Sequence, residues 1–169
     1  MGEQGIHIIA AIVEHKPGVL YRVSNMFRRR NFNIESISVG PIEPGNLARM
    51  TITVNGDEKT IEQVIKQMAK LIDVIKVSRL DPANTVTREM ALIKVHSANT
   101  RTRSDIINYA NIFRARVIDV SQESLMMEVT GDSEKIDAFI DLMKPFGVKE
   151  LSRTGITALS RGMRSVRIE

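Results

Sequence analysis

The chain has 169 residues, 43% hydrophobic and 26% charged, with 24 Lys and Arg against 20 Asp and Glu. That suits one ordinary domain or two small ones, and a net charge of +4 is too mild and too scattered for a dedicated nucleic-acid binder. The lack of cysteine excludes disulfides, thiolate catalysis and zinc–thiolate sites; the apolar run Ile8 to Val13 is far too short to cross a bilayer, so the chain reads as soluble and cytoplasmic.

In chain order, "IHIIAAIV" is apolar at nearly every position, as in a strand buried on both faces. Gly18 to Arg30 has helix spacing, with Leu20, Val23 and Phe27 on one face and Val19 and Met26 beside them. "NIESISVG" and "ARMTITVNG" read as strands around the turn "PIEPGN", and Met50, Ile52 and Val54 alternate. "DEKTIEQVIKQMAKLID" reads as a helix with Ile61, Ile65, Met68 and Ile72 inside. "VIKVSRL" closes the first half as a strand. "DPANTVTR" is a seam, since Asp81-Pro82 breaks regular structure.

The second half repeats the series. "EMALIKVHS" is a strand, and "TRSDIINYANIF" a helix carrying Ile106, Tyr109, Ala110 and Phe113. "ARVIDVS" and "LMMEVTG" pair around Gln122-Glu123-Ser124, "DSEKIDAFIDLMK" is a helix, and "VKELSR" a last strand. "VNGDEKTIEQVIKQM" from Val54 and "VTGDSEKIDAFIDLM" from Val129 echo one another. Each passes from strand to helix through Gly-Asp, where the aspartate can cap the helix. The fold class is therefore α+β, two ferredoxin-like βαββαβ units in tandem. The expected division is 1–80, a linker 81–88, 89–162 and a tail 163–169. Units of about 75 residues bury only roughly 60% of their unfolded surface, so the halves, or copies of the chain, should pack together.

Chemistry-bearing residues are few. Pro17-Gly18 stands where the first strand hands over to the first helix. Proline suits a first helical position, and the opening amides near Gly18, Val19 and Leu20 have no intrahelical partners. They can cradle a carboxylate or simply form a strand-to-helix turn. Asn33 can hold an ammonium or a carboxylate or act as a turn residue. Arg28-Arg29-Arg30 can grip phosphate or merely offset the helix dipole. His7 and His96 fall within strands, His15 in the loop beside Pro17-Gly18, and none has metal-ligand spacing. The methionines, among them Met68, Met126 and Met143, sit at core spacing. No nucleophile motif or glycine-rich phosphate loop is present, which disfavours a hydrolase. An RNA-binding module on the same fold needs exposed sheet aromatics, and aromatic content is only 4%.

"KPGVLYRVSNMFRRRNFNIESISVG" followed by "ARMTITVNGDEKTIEQVIKQMAKLIDVIKV", with the later "SRTGITALSRG", resembles the regulatory small subunit of acetolactate synthase, from about Ile6 to Gly162. The resemblance implies an N-terminal ACT domain that binds small amino acids, a second domain of similar topology and a homodimer. It implies a separate catalytic subunit as partner, carrying thiamine diphosphate, magnesium and FAD, with no cofactor on this chain. It implies activation of that partner and feedback inhibition by valine or a related branched-chain amino acid such as leucine or isoleucine. The effector would sit between two ACT domains, against His15, Pro17, Gly18, Val19 and Leu20 of one copy and Asn33 and Ile34 of the other. Many relatives carry asparagine where His15 stands.

Overall fold

The computed structural model describes residues 5–43, 45–163 and 165–166. The chain forms two compact units, residues 5–86 with 156–166 and residues 87–155. The stretch from Ile156 packs with the first unit rather than with the segment that precedes it in sequence. The linker also shrinks. Only a 3-10 turn, Pro82–Asn84, separates the strands, capped by the Asp81 side chain accepting from the Ala83 N–H. Arg164 and residues 167–169 of the expected tail lie outside the described residues.

The first unit runs β1 (Gly5–Glu14), α1 (Val19–Arg29), β2 (Ser36–Ile42), β3 (Leu47–Gly56), α2 (Glu58–Met68) and β4 (Val74–Leu80). Its antiparallel sheet has the order β2-β3-β1-β4. Residues on one strand face alternate, so Ile9, Ala11 and Val13 share a face with Met50, Ile52 and Val54 of β3. Both helices pack there through Val19, Val23 and Phe27 of α1 and Ile61, Val64 and Met68 of α2. The opposite face is closed as well. Ile8, Ala10 and Leu80 are buried against Ala158 in β9 (Thr157–Ser160), with Ile156 and Val166 alongside. This is why β1 is apolar on both faces from Ile8 to Val13. Polar bonds fix that cover: Arg49 Nη2 donates to the Ala158 carbonyl at 3.0 Å, and the Ser38 and Thr157 hydroxyls meet at 3.1 Å.

The second unit runs β5 (Thr85–His96), α3 (Thr100–Ile112), β6 (Arg116–Val120), β7 (Ser124–Gly131), α4 (Ser133–Met143) and β8 (Val148–Arg153), with sheet order β6-β7-β5-β8. Its core joins Ile93, Val95, Leu125 and Met127 to Ile106, Ile136 and Phe139. The repetition read in the sequence extends to an irregularity. Both central strands shift register against their last neighbour, between Ile12 and Val13 in one unit and between Lys94 and Val95 in the other. Together these observations make the chain α+β, two ferredoxin-like βαββαβ units.

Several sequence expectations change. The second helix ends at Met68, not Asp73; Ile72 is 88% exposed and Asp73 is buried instead. The residues after Met68 wind through short i→i+3 bonds, Lys70 N–H to Gln67 and Leu71 N–H to Met68, which rotate the chain out of helical phase. Leu20 is 49% exposed, leaving Val19, Val23, Met26 and Phe27 to face the core. Asn33 to Glu35 precede β2, and Pro41 and Ile42 belong to it, paired with Ala48 and Leu47. Met126 points away from the core while Met127 fills it.

Candidate functional site

Glu14, the last residue of β1, is held by its N–H to the Asp73 carbonyl at 2.9 Å, and His15 by its N–H to the Asn46 carbonyl at 2.8 Å. The chain then turns through exposed Lys16 and Pro17 to Gly18, at φ 87°. That left-handed backbone is open to glycine without steric cost and to aspartate or asparagine at some cost, so the turn itself favours Gly18. Gly18 is the N-cap of α1 and offers no side chain to its first amides, and the first turn holds no acidic residue. Among the described residues the other three α-helices are each capped by a side chain: Asp57 accepts from the Thr60 N–H, Asn99 from Thr102 and Asp132 from Lys135. The Gly-Asp echo read in the sequence is thus a pair of aspartate caps. At α1 the donors that a cap would satisfy face outward beside a dipole that favours an anion.

Electrostatics around this turn centre on Asp73, which sequence reading missed. Its side chain is almost wholly buried, yet it meets two cations. Lys16 Nζ lies 2.9 Å from Oδ1, and Arg22 Nη1 donates to Oδ2. Lys16 also pairs with Glu14. The cations hold the Asp73 carboxyl below its ordinary range, Lys16 foremost and Arg22 next, against the opposing effect of burial. Lys16 is raised by Glu14 first and Asp73 second. Arg22 also passes near the cap: a Cβ at Gly18 would stand 3.9 Å from Arg22 Nη2. The sequence signal was a lone carboxylate in the otherwise apolar "LIDVI".

Of the residues singled out, His15, Pro17, Gly18 and Leu20 form one exposed turn, with Val19 anchored in the core. Asn33 and Ile34 stand beyond the other end of α1. Eleven helical residues span about 16 Å, so one copy of the chain does not bring the two groups together. Asn33 is exposed, its Nδ2 donating to Glu35 Oε1 at 2.9 Å, and Ile34 packs partly on the core.

His7 bonds through Nε2 to the Gly56 carbonyl and His96 through Nδ1 to that of Glu123, both at 3.0 Å. Among the described residues no cluster of three metal-ligating side chains occurs. No helix of the described residues is long and apolar enough to cross a membrane. All seven aromatic residues lie in helices, turns or the irregular segment before β2 rather than on strands, which leaves the sheets without the stacking platform of a sheet-borne RNA reader.

The first βαββαβ unit is of the ACT class: residues 9–76 match the model described as the AHAS small subunit-like ACT domain. Residues 88–162 match the model described as the small subunit of acetolactate synthase. The chain belongs to the acetolactate synthase small subunit family. It is 58% identical to a probable acetolactate synthase small subunit of Methanothermobacter thermautotrophicus over 97% of this chain and 98% of that one. It is 47% identical to the acetolactate synthase small subunit of Mycolicibacterium smegmatis over 95% and 94%. A crystal structure of the acetolactate synthase small subunit from Thermotoga maritima matches with a TM-score of 0.87 and 46% identity, over 94% of this chain and 98% of that one.

Proposed function

We propose that the chain is a non-catalytic regulatory subunit in branched-chain amino-acid biosynthesis. It raises the turnover of a separate cytoplasmic acetolactate synthase catalytic subunit and makes that enzyme inhibitable by a branched-chain amino acid, valine first. Thiamine diphosphate, magnesium and FAD belong to that partner. The observation that carries this reading is the open start of α1. Gly18 leaves its opening amides uncapped where each of the other α-helices among the described residues has a side-chain cap. Those amides take the effector's carboxylate. Two copies pair so that Asn33 of one stands over Gly18 of the other and orients the ammonium end, with Leu20 and Ile34 beside the aliphatic side chain. So small a ligand buries little surface, and a Kd between about 1 μM and 1 mM follows. Inhibition requires only that the active and inactive assemblies bind valine unequally.

The test is acetolactate formation by the purified catalytic subunit with and without this chain, across a valine titration. Added chain raises turnover, and valine then lowers it. In Gly18→Asp the new carboxylate occupies the helix start, so activation persists while valine sensitivity falls at least about tenfold. Unchanged turnover on adding the chain refutes the regulatory role, and unchanged sensitivity in Gly18→Asp refutes the site.

A further inference from the structure

Between the later turns of α1 and the end of α2 lies a cavity of about 330 Å³, at the lower end of the range for small-molecule sites. Its lining runs along α1 to the C-terminal end of that helix, and only Arg22 of that lining also passes near Gly18. Four cations line it, Arg22, Arg29, Arg30 and Lys70, and no carboxylate does. Arg22 is engaged by Asp73. Among the described residues, Arg29, Arg30 and Lys70 form no ion pair. Arg30 is held in place by donating from Nη2 to Gln67 Oε1 at 3.1 Å.

Offsetting helix dipoles does not account for this charge. Two helix C-termini together carry about one negative charge, against three cations without an ion pair, Arg29 and Arg30 at the end of α1 and Lys70 just past the end of α2. About two positive charges remain concentrated on one recess. A zwitterionic amino acid would bring its ammonium group into that field and is disfavoured there. A phosphate dianion matches both the charge and the forked geometry of guanidinium donors. Met26 and Leu71 add an apolar wall for an organic body attached to the phosphate.

We propose that this cavity is an anion site distinct from the turn at Gly18, taking a small phosphorylated molecule of charge −2 or more through Arg29, Arg30 and Lys70. It depends on none of the regulatory reading above. Arg28, next in sequence but not in the lining, supplies the control.

The experiment is calorimetric titration of the full chain at constant ionic strength with inorganic phosphate, pyrophosphate and phenyl phosphate. One saturable site per chain is expected. Arg29→Ala and Lys70→Ala should each weaken it about tenfold or more, the loss of one charged hydrogen bond, whereas Arg28→Ala should not. Tighter binding of phenyl phosphate than of inorganic phosphate assigns the ligand as an organic ester using the apolar wall. Equal binding assigns the free anion. No saturable binding, or equal losses in Arg28→Ala and Arg29→Ala, overturns the proposal. So does a chain that ignores all three phosphates yet fails to activate the catalytic subunit as Arg29→Ala, which makes the recess a protein contact.

Discussion

Asp73 carries more of the local structure than any other single side chain near the proposed effector turn. Its backbone carbonyl holds the end of β1, and its carboxylate draws in Lys16 and Arg22 from either side of Gly18. Because those cations depress its pKa below the ordinary 3.8, the folded state binds the proton more weakly than the unfolded chain. Stability from this group is therefore fully present above pH of about 4 and is lost as pH falls further, through the folded-state value. Urea unfolding of wild type and Asp73→Asn should differ most at pH 6–7, and the difference should close below pH of about 4. A constant difference across that range contradicts the ion-pair account. Gly18 was legible in the sequence because Pro-Gly punctuates the chain whatever surrounds it. Asp73 was not, since the apolar spacing of Ile61, Ile65, Met68 and Ile72 carried a helix reading straight through it.

At the scale of elements, the two strand-to-helix corners are the clearest repeat, and they also show where matched sequence stops meaning matched packing. A Cβ at Gly56 would lie 2.8 Å from Thr60 Cγ2 and 3.0 Å from Thr60 Cβ, whereas one at Gly131 meets Lys135 Cδ at 2.6 Å. Threonine is β-branched and stiff at χ1, so it cannot yield. Lysine can swing its methylenes aside, at the expense of its bond to the Thr130 carbonyl. Gly56→Ala should thus cost about 1–3 kcal/mol, the usual range for overpacking, and Gly131→Ala distinctly less. Chemical denaturation of both variants checks the order, and the reverse ranking would contradict it. The helices and strands of the two repeats were legible in type because periodicity reports them directly. Ends were not. α2 stops at Met68 because β4 must start at Val74 in register with β1, a requirement set by tertiary pairing rather than by local spacing.

At the scale of the molecule, the first unit is closed by residues far away in sequence. The unbroken apolar run of β1 announced that both its faces are covered, but nothing in it said by what. β9 is too short to read as a strand from "TALS" alone. Ala158 is 1% exposed against Ile8, Ala10 and Leu80. Ala158→Asp would bury a carboxylate without a partner and should cost about 2–4 kcal/mol. Hydrogen exchange should then rise in β1 and β4, while β7 and α4 keep their protection. Uniform loss across both units would show instead that the chain unfolds as one block.

The return of β9 also dictates a timetable. Ile8 and Ala158 are separated by 150 positions, and translation proceeds at roughly 5–20 residues per second. The sheet itself is complete only once Leu80 is made, so a nascent chain carries it uncovered for about 4–16 seconds, while the intervening unit is being made. Until that lag ends, the sheet is a docking surface for chaperones, or for the sheet of another nascent copy on the same message.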